Sequence, residues 1–213
     1  MSDEAQRLVE DAGKLGVPLD RERAAALLLL LDELAVWNRT YSLSAITGRE
    51  AMIRAHLLDS LSAWPDLAGT HIADVGTGAG FPGLPLAVVA PERHFTLIDS
   101  VAKKVRFVAH ATRRLGLSNV SALQARVETL HPPVPFDTVL ARAYAGLPAL
   151  LASARGLAGP DTRVVALKGR FPHQELSALP QGWRLQRCRA VQVPGLAAER
   201  HVLLLVPQGA GKG

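Results

Sequence analysis

Cysteine, aromatic residues and long apolar runs are all scarce in this 213-residue sequence. Its one cysteine, Cys188, excludes an intrachain disulfide and a cysteine-rich zinc site, and it is typical of a reducing compartment. The leucine run at residues 27–31 ends at Asp32, so this run falls well short of the ~18 apolar residues that a membrane span requires. The first four residues include two acids where a secretion signal would be basic. We therefore expect a cytoplasmic protein that does not bind a membrane.

Lysine is also rare, with 5 lysines against 19 arginines. Residues 1–65 carry seven Lys or Arg and ten Asp or Glu, a net charge of −3, whereas residues 66–213 carry seventeen and nine, a net charge of +8. Planar guanidinium groups suit phosphate contacts and stacking on bases. The charge therefore favours a nucleic-acid partner for the second region, although codon bias that replaces lysine by arginine on solvated surfaces would give the same composition.

Apolar periodicity predicts an all-helical first region. Short helices are expected at residues 5–15 and 50–64, and a longer one at 21–37 with Asp20 as its N-cap. The leucines of the long helix recur at helical spacing and should face a core; they are Leu27, Leu30, Leu31 and Leu34. We interpret residues 1–65 as a small helical cap.

The second region alternates short strands and helices. Strands are predicted at residues 71–75, 94–99, 120–123, 136–141 and 164–167, with helices at 84–89, 101–115 and 147–157. This order is typical of a mostly parallel α/β sheet with helices on both faces. The last two apolar runs, 185–193 and 201–206, are too close for a helical crossover and predict a closing antiparallel hairpin. We expect one domain at 66–207 and a flexible tail at 208–213.

The first strand of this region runs into a loop with four glycines, at positions 76, 78, 80 and 83. Glycines at this density allow positive φ and close approach of a ligand to the backbone. From Gly78 onward the loop fits the dinucleotide pattern G-x-G-x-x-G, with Asp99 at the distance of a ribose-binding acid, which suits a nicotinamide-dependent oxidoreductase. From Asp74 onward it reads Asp-x-Gly-x-Gly-x-Gly and resembles motif I of S-adenosylmethionine-dependent methyltransferases.

If the protein is a methyltransferase, the absence of certain residues limits which atoms it could methylate. Methylation of base C5 requires a nucleophilic cysteine, but Cys188 lies between two arginines in the predicted edge hairpin. Enzymes of exocyclic amines usually carry Asn/Asp-Pro-Pro-aromatic after the fourth strand, where this sequence has Ala-Arg-Ala-Tyr at 141–144. A ring nitrogen with a free lone pair needs neither group, because in-line positioning supplies much of the rate.

The segment Asp-Val-Gly-Thr-Gly-Ala-Gly-Phe-Pro-Gly-Leu-Pro-Leu at 74–86 resembles the glucose-inhibited division protein B family of bacterial 16S rRNA methyltransferases. Further matches occur at 37–38, 41–43, 56–61, 99–107, 126–128, 141–143 and 166–169. The resemblance implies a Rossmann-like class I methyltransferase fold with a seven-stranded sheet. It also implies methyl transfer from S-adenosyl-L-methionine to N7 of one guanine near the decoding centre, with S-adenosyl-L-homocysteine as product. A cofactor-gated RNA-binding protein without activity is a further alternative.

The resemblance places specific residues at the cofactor. It implies that Gly76 and Phe81 contact the cofactor, that Val127 and Glu128 flank its adenine, and that Arg142 faces both the cofactor and the incoming base as the catalytic residue. From the loop pattern we add three cofactor-binding candidates: Asp74, Gly78 and, for the ribose hydroxyls, Asp99. Buried Asp74 could equally have a purely structural role. Two positions depart from the common family residues, namely Phe81 in place of Leu and Tyr144 in place of Phe.

The RNA-binding candidates are three basic residues on one face of the predicted helix at 101–115 and a lysine that follows the fifth strand. They are Lys103, Lys104, Arg106 and Lys168, each of which could also be ordinary solvated surface. His56 could contact RNA or be a satisfied histidine of the cap. The remaining histidines lack ligand spacing, so we predict no metal. The expected partner is 16S rRNA, within the small ribosomal subunit or its precursor, and no obligate protein partner is predicted.

Overall fold

Two helices begin the chain in the structure, a computed structural model that describes residues 3–209. They are α1 (Asp3–Lys14) and α2 (Arg21–Tyr41). The Asp20 side chain accepts a hydrogen bond from the Arg23 amide at 2.8 Å, so the predicted N-cap is confirmed. Helix α2 continues past the predicted end at Trp37 to Tyr41, and Ser42 closes it in a left-handed conformation.

The predicted helix at 50–64 is interrupted, which the sequence pattern did not indicate. It consists of α3 (Arg49–Met52), a π-helical turn (Ile53–Leu58) and α4 (Asp59–Leu61), followed by a 3₁₀ turn (Trp64–Asp66). π-Helical turns insert one residue into a helix and are frequent at functional sites. This one carries His56 and directly precedes Asp59.

The second region forms the predicted seven-stranded sheet, in the order β3-β2-β1-β4-β5-β7-β6. Its strands are β1 (His71–Val75), β2 (His94–Asp99), β3 (Val120–Gln124), β4 (Phe136–Arg142), β5 (Ala158–Lys168), β6 (Trp183–Ala190) and β7 (His201–Pro207). β1 to β5 are parallel, and β7 pairs antiparallel with β5 and β6. The predicted closing hairpin is therefore confirmed. The connecting helices are α5 (Gly83–Val89), α6 (Ala102–Arg114), α7 (Leu147–Ser153) and α8 (His173–Ser177).

The apolar core has one layer on each face of the sheet. The four leucines predicted to face the core, Leu27, Leu30, Leu31 and Leu34, are fully buried, and they share a cluster with residues of α5 and α6. The second cluster lies under α7. Truncating one buried leucine of this kind to alanine typically costs about 2–5 kcal/mol. The N-terminal helices are thus fixed on the sheet region, and the domain boundary between residues 65 and 66 stays a prediction.

None of the helices within residues 3–209 has the length and apolar character needed to cross a membrane. The predicted flexible tail at 208–213 lies mostly outside the described residues, which end at Gly209.

Candidate active site

The glycine loop is organised by the buried carboxylate of Asp74 at the end of β1. Its Oδ2 accepts hydrogen bonds from the Thr77 hydroxyl at 2.6 Å and from the Gly83 amide at 2.8 Å. Burial raises the pKa of this carboxyl to about 7, against the lowering effect of those two bonds. Its Oδ1 has no hydrogen-bond partner among the described residues. Asp74 therefore shapes the loop from beneath it, and it lines neither of the cavities described below.

Three glycines of the loop are required for different reasons. A Cβ on Gly83 would lie 2.8 Å from both Asp74 Oδ2 and Leu97 Cγ, so α5 packs on the sheet only without a side chain there, as expected. Gly76 (φ +65°) lies against the Tyr144 ring, whose Cδ2 would be 2.8 Å from an added Cβ. Gly78 (φ +61°) faces open space, with nothing nearer than 4.0 Å to an added Cβ. The backbone of Gly78 is thus open on the side where a side chain would lie.

Asp99 ends β2 beside this open backbone. Its Oδ2 accepts the Gly78 amide at 3.0 Å and the Lys104 ammonium at 3.4 Å, while Oδ1 accepts the Val101 amide at 2.9 Å. The carboxylate is nearly buried, yet it lines a cleft of about 560 Å³ at the carboxyl ends of the strands. Ligands of open α/β sheets bind at this edge. The position fits the predicted ribose contact.

The same cleft is also lined by Val127, Glu128 and Tyr144; it is here called the cofactor cleft, after the predicted cofactor residues that line it. The Ser153 hydroxyl donates to Glu128 Oε1 at 2.8 Å and accepts from the Tyr144 hydroxyl at 3.1 Å. Hydrogen bonds from its own amide and from Ser153 hold the pKa of the Glu128 carboxyl below its usual range. The structure thus brings four predicted cofactor residues, Gly76, Asp99, Val127 and Glu128, into one cleft.

A second cavity of about 400 Å³, here called the base pocket, adjoins the cofactor cleft. Ala143 and Tyr144 line both cavities. Ala143 has φ +51°, a conformation that costs a non-glycine residue about 1–2 kcal/mol and is concentrated at functional sites. The other residues of the base pocket come from five separate segments; they are Ile46, Ala55, His56, Asp59, Arg142, Leu167, Lys168, Gly169 and Arg200.

Arg142, the predicted catalytic residue, lies in the base pocket at the end of β4. Its Nη1 donates to Asp59 Oδ2 at 3.1 Å and to the Ala55 carbonyl at 2.7 Å. The carbonyl is accessible because the π-helical turn redirects the Asp59 amide to the carbonyls of residues 54 and 56. The guanidinium also lies over the Phe81 ring, 5.4 Å from its centroid. Residues of the helical cap and of the sheet region therefore both hold Arg142 in position.

Asp59 and Arg200 complete this network. Asp59 is buried, and its Oδ1 accepts the Arg200 Nε at 2.7 Å, so one carboxylate pairs with two arginines. Neither residue was a predicted site residue. The only signal for Asp59 was its place in the family match at 56–61; Arg200 gave none.

Both ring nitrogens of His56 have partners within the protein, which is the structural one of the two roles considered for this residue. Its Nε2 lies 2.8 Å from the Ser44 hydroxyl, Nδ1 lies 3.4 Å from Arg142 Nη2, and the ring stacks on Phe81 with centroids 4.7 Å apart. Burial, and secondly the charge of Arg142, lower the pKa of His56 to about 4. The ring is therefore neutral at pH 7. Phe81 thus contacts the base-pocket network through His56 and Arg142 and does not line the cofactor cleft.

The predicted RNA-binding lysines already have intramolecular partners. Lys103 donates to the Tyr41 carbonyl at 2.9 Å, Lys104 pairs with Asp99, and Lys168 pairs with Glu175 at 2.8 Å. Only Lys168 lines the base pocket, while Lys104 lines the cofactor cleft. Arg106 is exposed on α6. Their contact with RNA stays a prediction. Within residues 3–209, no three His, Cys, Asp or Glu side chains are grouped to hold a metal ion.

The comparisons with known proteins agree with this geometry. The family model of rRNA small subunit methyltransferase G (GidB) matches residues 23–203. The chain belongs to this family. It is 43% identical over 203 residues to ribosomal RNA small subunit methyltransferase G of Stutzerimonas stutzeri, covering 94% of both chains, and 45% identical over 197 residues to that of Nitrosococcus oceani, covering 92% of both.

Solved structures place the GidB family fold among methyltransferases. TrmN from Thermus thermophilus is 25% identical with a TM-score of 0.56; the match covers 73% of this chain and 53% of TrmN, about half its length. A SAM-dependent methyltransferase from Aquifex aeolicus is 20% identical with a TM-score of 0.54, over 72% and 92% of the two chains. The expected Rossmann-like class I fold is confirmed, and the nicotinamide alternative is set aside.

The residues present fit S-adenosyl-L-methionine, the cofactor of this family. The Asp74 Oδ1 atom is a buried acceptor without a partner among residues 3–209, Gly78 leaves its backbone open, and Asp99 presents a carboxylate to the cleft. An adenosine with an amino-acid tail offers hydroxyls and an ammonium group to such acceptors.

Proposed function

We propose that this chain transfers a methyl group from S-adenosyl-L-methionine to N7 of one guanine in 16S rRNA, in the stem-loop near the decoding centre. The observation that carries the proposal is the junction of the two cavities: Ala143 and Tyr144 line both the cofactor cleft and the base pocket. A base entering the pocket therefore comes next to the cofactor cleft at the carboxyl end of β4.

The cofactor supplies a methyl group on a sulfonium, which an unprotonated ring nitrogen can accept without help from a base. N7 of guanine carries such a lone pair, so this chain need only bind and orient the base. Well-oriented reactants gain about 7–11 kcal/mol over free ones. The hydrogen-bonded group around Arg142 is suited to this task because residues of both the helical cap and the sheet hold its donors in place.

Arg142 orients the base in this proposal. Its Nη1 is committed to Asp59 and the Ala55 carbonyl. Arg142 lines a pocket in which guanine would offer O6 and N7 as acceptors to its guanidinium. A contact at O6 fixes the ring and leaves N7 free for the methyl group. Asp59 offsets the charge of Arg142, which would otherwise oppose the positive charge that the methylated guanine acquires.

The substrate is 16S rRNA, and we place the reaction on the small ribosomal subunit or its precursor in the cytoplasm. Most basic side chains near the two cavities are held by carboxylates or carbonyls of this chain. Such a surface is better suited to a preformed RNA shape than to the capture of flexible RNA.

The test is methyl transfer from isotope-labelled S-adenosyl-L-methionine to unmethylated small subunits and to naked 16S rRNA, with nucleosides identified by mass spectrometry. We expect N7-methylguanosine with the unaltered chain and a loss of about 100-fold or more with Arg142→Ala. Arg155→Ala, at an exposed arginine of the turn before β5 that lines neither cavity, should keep full activity.

Two outcomes would overturn the proposal. Methylation of another atom by the unaltered chain would refute the assignment to N7. Binding of both S-adenosyl-L-methionine and small subunits with no transfer would favour the non-catalytic RNA-binding alternative.

A further inference from the structure

A group of aromatic and basic side chains next to the base pocket has no role in the site described so far. It consists of Arg170, Phe171, His173 and His201, here called the stacking surface. The first three follow the end of β5, and His201 begins β7. His201 pairs with Lys168 in the sheet, so the two strands bring the group together.

The rings of this surface are arranged around Phe171. The His173 ring is tilted against it with centroids 4.4 Å apart, and the His201 ring meets it edge-on at 5.6 Å. His201 Nδ1 lies 2.8 Å from the Gly169 carbonyl, which fixes that ring. Phe171 is half-buried and His173 is exposed. The surface is thus ordered by its own contacts and open to solvent.

Phe171 is not part of the protein core. Of the five phenylalanines in the sequence, Phe81, Phe95, Phe107 and Phe136 belong to or pack against the two apolar clusters, and Phe171 alone belongs to neither. Phe171 is thus a partly exposed aromatic ring whose packing partners within these groups are the two histidines.

The stacking surface continues directly from the base pocket. It lines a broad groove of about 1580 Å³, and Arg200 lines both this groove and the base pocket. Gly169 lines the base pocket, and Arg170 follows it in the chain. Arg170 is exposed, and none of the residues in the described part of the chain forms an ion pair with its guanidinium. A free cation and an aromatic face therefore lie together at the exit of the pocket.

We propose that the stacking surface binds the nucleotide next to the target guanine, whose base stacks on Phe171 and whose phosphate contacts Arg170. This inference rests on the proposed function. A base that leaves its stack to enter a pocket exposes the face of its neighbour, which regains stacking on an aromatic side chain. Glu199 is exposed in the same groove and would repel a phosphate, so the backbone follows the Arg170 side.

The test compares Phe171→Ala, Phe171→Tyr and Arg170→Ala with Arg155→Ala as a matched control. We would measure kcat and KM for unmethylated small subunits, and the Kd of the subunit in S-adenosyl-L-homocysteine at several salt concentrations. Phe171→Ala should raise KM and Kd about five-fold or more with kcat and cofactor affinity unchanged, whereas Phe171→Tyr should bind normally. Arg170→Ala should reduce the salt slope of binding by about one.

The proposal is overturned if Phe171→Ala binds small subunits as tightly as the unaltered chain. It is also overturned if Phe171→Tyr is as weak as Phe171→Ala, because a stacking role predicts rescue by another aromatic ring. If the unaltered chain transfers no methyl group, the proposed function fails, and the Kd measurements still decide whether this surface holds RNA.

Discussion

The cofactor cleft and the base pocket adjoin each other but are built differently. The cofactor cleft is lined by several short segments that all lie between residues 76 and 153, most of them at the ends of strands. The base pocket is assembled from five segments spread between residues 46 and 200, and its charged contacts join residues 83 and 141 positions apart. The cofactor cleft therefore forms within the sheet region alone, whereas the base pocket forms only once cap and sheet have come together.

The two cavities also differ in how charge is held. In the cofactor cleft, carboxylates are satisfied by loop amides, as at Asp99. In the base pocket, a single buried carboxylate, Asp59, forms ion pairs with two arginines. Removing one member of such a buried group leaves an uncompensated charge, which costs far more than the group contributes when intact. The base pocket should therefore be the more sensitive of the two to single substitutions.

The largest effect is expected from Asp59→Ala. It leaves Arg142 and Arg200 without their carboxylate, and we expect a loss of about 3–5 kcal/mol in the free energy of unfolding, measured by urea denaturation. Asp161→Ala, an exposed position in β5, is the control and should change stability by less than about 0.5 kcal/mol. Equal stability of the two variants would show that the base pocket does not depend on buried charge pairs.

Two glycines of the cofactor cleft should separate folding from binding. Gly83→Ala forces a Cβ against Asp74 and Leu97 and should cost about 1–3 kcal/mol in unfolding free energy. Gly78→Ala meets open space, so it should cost only about 1 kcal/mol for its positive φ while weakening cofactor binding about ten-fold or more. Calorimetric titration with S-adenosyl-L-methionine measures the second effect. Unchanged affinity in Gly78→Ala would remove this backbone from the cofactor site.

His56 should make the stability of the base pocket depend on pH. Its pKa is lowered from 6.5 to about 4, so between these values the unfolded chain binds more protons, and stability rises with pH up to about 6.5. The raised pKa of Asp74 opposes this trend over a similar range. Comparison with His56→Asn removes the Asp74 contribution, and we expect a difference of up to about 2 kcal/mol between pH 4.5 and 7. Parallel stability curves for the two proteins would contradict the buried, neutral histidine.

The smallest effect is expected at the wall between the cavities. Tyr144→Phe removes the hydroxyl that donates to Ser153 at 3.1 Å but keeps the ring against Gly76. We expect a loss of about 1 kcal/mol or less in unfolding free energy and an unchanged Kd for S-adenosyl-L-methionine. A large loss of cofactor affinity would mean that the hydroxyl, and not the ring, defines this wall.

The signals for the cofactor cleft are local in the sequence. Glycines with positive φ and acids at strand ends are visible in a short segment, and of these residues Gly76 and Asp99 line the cleft. Asp74 and Gly78 shape the loop beside it, and cofactor binding by each of the four stays a prediction. The base pocket was only partly predictable. The residue inserted in the π-helical turn, which frees the Ala55 carbonyl, leaves no mark in apolar periodicity. The pairing of Asp59 with Arg200 depends on tertiary contact alone.

The most direct measurement is mass mapping of 16S rRNA from a strain that lacks this gene, complemented with the unaltered chain or with Arg142→Ala. If the two cavities form one active site, N7-methylguanosine near the decoding centre is absent from the deletion strain. It should return with the unaltered chain and stay absent with Arg142→Ala. Full methylation in the deletion strain, or with Arg142→Ala, would contradict the assignment of methyl transfer to the junction at β4.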